Sequence, residues 1–190
     1  MGTGFEICQL KTFTNTEASG WVRSVGLAAD EHLRVWLPDN SGYVFTVRGP
    51  KLLPYQVPYF ANLFFPDDNE HCLFLLTDNG ASGAMEFEMA CRALKLIRDA
   101  HGEHRGILES PAYLLQGDEI VDARLLVTWA VLFCWDAYIV PTHGRYFVWI
   151  DDDEAADVCC KHKEDYEHLL EKFRDWGLVP EVPPSTNARV

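Results

Sequence analysis

The chain has 190 residues, of which 48% are hydrophobic, and this is enough apolar material for a domain with its own core. Its 29 acidic residues outnumber the 16 basic residues, giving a formal net charge of −13. Nucleic acids and anionic membranes are therefore disfavoured as partners, because proteins bind both through Lys and Arg.

The domain boundary is predicted at the residue where the strand-like and helix-like patterns of apolar residues end. We expect a single domain over residues 1–179 and a loose tail over residues 180–190, which contain three prolines. The chain does not begin with a basic region followed by an apolar core, so we expect no signal peptide and a cytoplasmic protein. The six cysteines show no C-x-x-C spacing, which fits reduced thiols in that compartment.

The N-terminal third alternates apolar and polar residues in short runs separated by turn residues, a pattern that predicts strands. The predicted elements are a strand over 5–10, a polar loop over 14–20, a strand over 21–27, a hairpin of 33–37 with 43–47 around the turn 38–42, and a short helix or irregular segment over 54–65.

The middle of the chain combines one strand with one helix. Residues 72–77 form a continuous apolar run, which is typical of a strand buried on both faces. A helix is predicted over residues 83–100, with Ser82 as its cap and Gly102 near its end. We expect Arg98 on the solvent side of this helix. The expected apolar stripe contains Met85, Met89, Ala93 and Ile97.

The stretch over residues 118–150 is predicted to organise the fold. Asp118 is expected to cap an almost wholly apolar helix, in which residues 125–135 contain one polar side chain. As helix these eleven residues span about 17 Å, roughly half a bilayer core, so they predict a buried helix and not a membrane span. A tight hairpin follows, with strands over 137–140 and 146–150.

The C-terminal part completes the predicted sheet. Residues 155–161 read as a third strand of a β-meander, with Ala156, Val158 and Cys160 on one face and Asp157, Cys159 and Lys161 on the other. The last helix is predicted over residues 163–176. Its apolar stripe is expected to contain Tyr166, Leu169, Leu170, Phe173 and Trp176. These patterns predict an α+β fold, a largely antiparallel sheet packed with three to four helices.

The sequence contains no pattern typical of a reaction centre. Cys159, Cys160 and His162 are the best metal candidates, but adjacent strand residues point to opposite faces, so the two thiols diverge. Cys134 lies in the most apolar helical run, where burial makes a thiol inert. Ser82 lacks the G-x-S-x-G context of a nucleophile. We therefore assign no catalytic residue, metal ligand or cofactor.

The strongest functional signal is a local excess of carboxylates, with ten acidic and four basic residues over 151–175. We interpret it as a surface that binds a basic protein, as an immunity or inhibitor protein does. Trp149 and Trp176 are candidate anchors, but we expect both side chains to lie in the core. The predicted partner-binding residues are Asp151, Asp152, Asp153, Glu154, Glu164, Glu167 and Glu171. The alternatives are an enzyme with an unmarked, hydrolase-like site, and a structural subunit whose apolar surface is covered in an oligomer.

Overall fold

The computed structural model describes residues 11–39, 41–48, 72–77, 88–116, 119–133, 135–151 and 155–182. Within these ranges the strands are β1 (Lys11–Phe13), β2 (Ala28–Ala29), β3 (Val35–Trp36), β4 (Tyr43–Arg48), β5 (Cys72–Leu76), β6 (Ala112–Leu115), β7 (Ala137–Pro141), β8 (Tyr146–Ile150) and β9 (Ala155–Cys160). The helices are α1 (Asn15–Ser24), α2 (Glu88–Ala100), α3 (Ile120–Leu132) and α4 (Lys163–Asp175). The predictions for residues 5–10, 54–65, Ser82 and Asp118 lie outside the described residues.

Seven strands form one open sheet in the order β1-β6-β5-β7-β8-β9-β4, and its described ladders are antiparallel. Strands β2 and β3 form a separate two-stranded sheet. Together with the helices, this arrangement confirms the predicted α+β class. The apolar run over residues 72–77 is confirmed as a buried strand, because β5 lies between β6 and β7 and buries all five side chains.

Different layers cover the two faces of the large sheet. On one face, the helix side, α2, α3 and α4 contribute Leu94, Leu126 and Phe173 to a fully buried core. On the opposite face, the α1 side, α1 and the β2–β3 sheet pack on residues such as Leu75 and Phe147. Strands β4 to β9 contribute side chains to both cores, because successive side chains on a strand point to opposite faces.

The C-terminal β-meander is confirmed. Strands β7, β8 and β9 pair in sequence order, and β9 then pairs with β4 at the edge of the sheet. Cys160 packs on the helix side and Cys159 packs on the α1 side, as the alternation predicts. The β7–β8 turn packs closely against the end of α1. A Cβ built at Gly144 would lie 2.0 Å from the Val25 carbonyl oxygen, and the φ of this glycine is +58°.

The loop predicted over 14–20 and the strand predicted over 21–27 are wrong, because this stretch forms α1. Thr14 caps the helix by accepting the Glu17 N–H, while the Glu17 carboxylate accepts the Thr14 N–H at 2.8 Å. This reciprocal pair is a capping box, and its Thr-x-x-Glu pattern marks a helix start more strongly than the surrounding polar residues mark a loop.

The hairpin predicted from residues 33–37 and 43–47 is wrong in its pairing. β3 pairs with β2, whereas β4 pairs along its whole length with β9. The alternating pattern identifies strands, but it does not identify their partners, and Thr46 lies 111 residues from Asp157 across the β4–β9 ladder. The partner of β4 is therefore set by tertiary packing.

Helix α2 follows the predicted stripe in part, because Ile97 packs against the core as predicted while Met89 does not. Met89 is 78% exposed, whereas Leu94 and Arg98 are buried and Cys91 and Ile97 pack against the core. The prediction of Arg98 on the solvent side is wrong, because its guanidinium is hydrogen-bonded inside the protein. Apolar periodicity alone does not reveal a buried arginine that is satisfied by loop carbonyls.

Helices α3 and α4 follow the predictions in part. α3 ends at Leu132, and Trp135, which the apolar run placed in the helix, is buried in the link to β7. α4 buries the predicted residues Leu169, Leu170 and Phe173, but Trp176 follows the last helical turn and is exposed. Glu181, from the segment assigned to the tail, exchanges two backbone hydrogen bonds with Thr46 of β4.

Candidate functional site

A cavity of about 260 Å³ lies between the second half of α2 and the loop that follows it. Its lining includes Lys95, Arg98, Glu103 and Arg105. A reaction centre needs polar groups that can reach a substrate. The hydrogen bonds of these residues therefore decide whether the cavity has the properties of a reaction centre.

Arg98 uses its guanidinium to hold the loop. Nη1 donates to the Ser110 carbonyl oxygen at 2.8 Å and to the Tyr113 hydroxyl at 2.9 Å. Nη2 donates to the Arg105 carbonyl oxygen at 2.7 Å and to Ser110 Oγ at 2.6 Å. A Glu103 carboxylate oxygen lies 4.0 Å from Nη2 and compensates the buried charge. These bonds tie α2 to the loop and to β6, a structural role.

Glu103 is also fully engaged. Arg105 donates to it from Nε at 3.0 Å and from Nη2 at 2.7 Å, and the Thr12 hydroxyl of β1 donates to the same carboxylate. The Arg105 guanidinium lowers the pKa of Glu103 to about 2, so this carboxylate is no proton acceptor near neutral pH. Arg98, Glu103 and Arg105 therefore stabilise the loop, and these hydrogen-bonding groups are directed at the protein itself.

Cys159 and Cys160 are not placed to form a reactive or metal-binding centre with His162. Burial raises the pKa of the Cys160 thiol to about 12 and raises that of Cys159 as well. Cys159 and Cys160 face opposite sides of the sheet, and His162 is exposed beyond the strand. Within the described part of the chain, no three His, Cys, Asp or Glu side chains are placed to share a metal ion. Cys134 lies outside the described residues.

The predicted partner-binding glutamates of α4 lie together. Glu164, Glu167 and Glu171 are exposed on the side of the helix opposite its buried stripe, and Asp175 extends this row by one turn. Lys163 Nζ lies 3.2 Å from Glu167 Oε1 and offsets part of the charge. These carboxylates face solvent on the helix side of the sheet.

Asp151 lies apart from those glutamates. Asp151 directly follows β8 and is four residues from Phe147, so the alternation of side chains places both on the α1 side of the sheet. Helix α4 packs on the opposite side, the helix side. Its Oδ1 accepts the Ala155 N–H at 3.0 Å, which closes the turn between β8 and β9. Residues 152–154 of the same predicted site lie outside the described residues. Asp151 and the α4 glutamates, which were predicted to form one site, therefore lie on two separate surfaces.

The surface that includes Asp151 is centred on Trp149, which is half-buried where the α1 layer ends. The Trp149 Nε1–H donates to Asp136 Oδ1 at 2.6 Å. One face of its indole stacks on Tyr138, with ring centroids 6.2 Å apart and planes 14° apart. Asp157 is its register partner on β9. We call Asp136, Trp149, Asp151 and Asp157 the Trp149 surface.

The Trp149 surface continues to the edge of the sheet along a single row of register partners. The row runs from the buried core to solvent through Leu75, Tyr138, Trp149, Asp157 and Thr46. The Thr46 hydroxyl donates to Asp157 Oδ1 at 2.6 Å, which fixes this carboxylate beside the indole. Along this row the side chains thus change from apolar to polar, with Asp157 beside the indole.

The carboxylates of this surface act on the groups beneath them. Burial is the main cause that raises the pKa of Tyr138, and Asp136 raises it further, while Arg34 opposes the effect. Burial likewise raises the pKa of Cys159, with Asp157 adding to it. Asp136 and Asp157 accept hydrogen bonds from Trp149 and Thr46, and within the described ranges neither carboxylate is paired with a Lys or Arg that would neutralise its charge.

Asp136 and Asp157 were not among the residues predicted to bind a partner. Asp136 marks the end of the apolar run, and Asp157 sits at an outward position of an alternating strand, so neither stands out in sequence. The sequence did contain one indication. Asp157 and Cys159 are two residues apart on one strand and therefore lie on the same face, and the predicted meander places that strand beside β8.

Comparison with protein-family models, with curated proteins and with solved structures finds no match to this chain. Among the helices in the described ranges, none is long and apolar enough to cross a membrane.

Proposed function

We propose that the protein binds a basic partner protein through the Trp149 surface. The observation that carries this proposal is the side chain of Trp149, half-buried, held by Asp136 and flanked in register by Asp157. Tryptophan is common among the residues that dominate binding energy, and the face of its ring attracts Lys and Arg side chains. Two carboxylates beside it favour the same cations.

The geometry suits a docking surface better than a small-molecule site. Trp149 and Asp157 lie on rigid paired strands, and Asp136 directly precedes β7, so little conformational entropy is lost when a partner orders them. Rim charges of this kind act mainly on the association rate, and salt weakens their effect. The α4 glutamates form the competing acidic surface, and the experiment must separate the two.

The test begins with purification of the protein from its native cells and identification of what copurifies. The association rate of the purified partner is then measured for single charge reversals on each surface, Asp157→Lys and Glu171→Lys, which change the net charge equally. We expect Asp157→Lys to slow association about tenfold at low salt and Glu171→Lys to have less than about a twofold effect. Asp157→Asn is the control for structure, because it keeps an acceptor for the Thr46 hydroxyl.

Two outcomes would contradict the proposal. If Glu171→Lys slows association more than Asp157→Lys, the partner binds the α4 surface. If neither reversal changes the rate at low salt, the carboxylates serve solubility alone. Trp149→Phe adds a second measurement, because loss of an anchor should raise the dissociation rate with little effect on association.

A further inference from the structure

We infer that the cavity between α2 and the loop after it is a binding site for a small organic carboxylate. This site is separate from the Trp149 surface, and the inference does not depend on that surface. The cavity lies toward the β1 end of the sheet, because Arg105 in its wall donates to the Thr12 hydroxyl on β1 at 2.7 Å. The Trp149 surface is centred on β8 and β9, toward the other end.

Two guanidinium groups in the wall keep N–H groups that the protein does not use. Arg98 donates from Nη1 and Nη2, but within the described part of the chain its Nε–H has no acceptor. This Nε is not one of the fully buried polar atoms that lack a partner, so solvent still reaches it, although Arg98 is only 2% exposed. Because Arg98 lines the cavity, a ligand oxygen in the cavity can accept this N–H. Arg105 donates from Nε and Nη2, and its Nη1 is likewise left without an acceptor among the described residues.

Lys95 adds a third cation to the wall. It lies three residues before Arg98 on α2, so both side chains are on the same side of the helix. Lys95 is exposed, and its ammonium forms no ion pair with a carboxylate of the described residues. Its flexible four-carbon stem allows the ammonium to turn toward a ligand. The wall therefore offers donors from three cations to one anion.

The charge of the lining also favours an anion. Three cations and the two carboxylates of Asp99 and Glu103 give the lining a net charge of +1 with neutral histidine, on a chain whose net charge is −13. The carboxylates are already engaged. Arg105 lies 2.7 Å from Glu103, His104 lies 3.8 Å from Asp99, and Glu109, beside the cavity, accepts a loop N–H at 2.7 Å. A ligand with one negative charge balances the lining.

The apolar part of the wall and the volume define the rest of the ligand. Cys91 and Ile107 line the cavity, and the stem of Lys95 adds methylene groups. The volume of about 260 Å³ is slightly below the range for drug-sized ligands. The ligand is therefore a small monocarboxylate with a short apolar body, and benzoate is a simple probe of this class. Inorganic phosphate has no apolar body to cover Cys91 and Ile107.

The experiment is an NMR titration of the full ¹⁵N-labelled chain with benzoate, with benzamide as a neutral analogue of the same shape, and with inorganic phosphate. We expect benzoate to shift the amide signals of residues 91–107 with a dissociation constant of about 1 mM or below. Benzamide and phosphate should each bind at least about tenfold more weakly, because benzamide lacks the charge and phosphate lacks the apolar body.

Lys95→Met tests the site in a variant that should keep its fold, because Lys95 is exposed and methionine keeps much of the stem. We expect this variant to bind benzoate at least about fivefold more weakly, through loss of one charged donor. Lys172→Met removes the same charge from α4, which packs on β4 and β9 at the other end of the sheet. This control should bind benzoate like the original chain.

The inference fails if benzoate leaves the signals of residues 91–107 unchanged up to about 20 mM. It also fails if benzamide or phosphate binds as tightly as benzoate, because the cavity would then not recognise an organic anion. Equal weakening by Lys95→Met and Lys172→Met would show that the net charge of the chain, and not the cavity, controls binding. None of these outcomes bears on the Trp149 surface, which is tested by the association rate of a basic partner.

Discussion

Thr46 and Glu181 exchange both of their backbone hydrogen bonds, at 3.0 and 2.8 Å, on the outer side of the edge strand β4. Among the described residues, this bridge is the pairing found on the outer edge of β4, and it covers part of that edge. In an antiparallel ladder the next pair of this kind would join Val44 to residue 183. Residue 183 is a proline and has no N–H, so the sequence itself limits how far this pairing can extend.

Removing residues 179–190 should expose the Thr46 amide. We expect its hydrogen exchange to accelerate by about tenfold or more and the free energy of unfolding to fall by about 1–2 kcal/mol, the range for two modest hydrogen bonds. The Val47 amide points toward β9 and should keep its protection. Unchanged exchange at Thr46 would mean that the bridge does not persist in solution.

Arg98→Met should destabilise the protein strongly. The substitution leaves the Ser110 carbonyl, the Tyr113 hydroxyl and the Arg105 carbonyl without their donor inside the protein. We expect a loss of about 3 kcal/mol or more in the free energy of unfolding, measured by denaturant titration. Arg92→Met on the exposed side of α2 is the control and should cost less than about 0.5 kcal/mol. Equal effects would contradict the buried position of Arg98.

Phe173→Ala should cost about 3–5 kcal/mol, because its ring is fully buried and lies 5.3 Å from the Phe45 ring. Trp176→Ala should cost less than about 1 kcal/mol, because that side chain is exposed. Thermal melts of the two variants decide between this arrangement and the predicted stripe that included Trp176. A larger loss for Trp176→Ala would restore the predicted stripe.

The pKa of Glu103 makes a pH-dependent contribution to stability. Because folding lowers this pKa from 4.5 to about 2, the contribution is present above about pH 4.5 and is lost as pH falls toward 2. We expect Glu103→Gln to lower the free energy of unfolding by about 1–2 kcal/mol at pH 7, a value reduced for the solvent access of Arg105.

Unfolding titrations between pH 7 and pH 2 check this expectation. The difference between the original chain and Glu103→Gln should shrink as the pH falls, since the original carboxylate becomes protonated. Glu88→Gln, whose Arg92 pair is exposed, should show a small difference throughout. A difference for Glu103→Gln that stays constant with pH would show that the lost charge is not its cause.

The stretch 118–150, which was predicted to organise the fold, is not buried evenly along its length. Trp129 and Phe133 are half-buried, whereas Trp135, Ile139 and Val148 are almost fully buried. The apolar run over residues 125–135 predicts a helix in which all the apolar side chains are buried. Burial depends on which side of a helix meets the sheet, and a wholly apolar run has no periodicity to indicate that side.

The sequence by itself determined the elements whose signals are local. Alternation and turn residues identified β7, β8 and β9, the continuous apolar run identified β5, and the stripe on α4 identified its buried side. The Thr14–Glu17 capping box was also present in the sequence, although it was outweighed by the polar residues around it.

Only the tertiary structure decided which elements meet. The pairing of β4 with β9, the burial of Arg98 and the separation of Asp151 from the α4 glutamates all depend on contacts between residues far apart along the chain. Such contacts are set by how the layers pack on the two faces of the sheet, and no local pattern encodes them. For that reason Asp136, Trp149 and Asp157 become one surface only after the meander has folded.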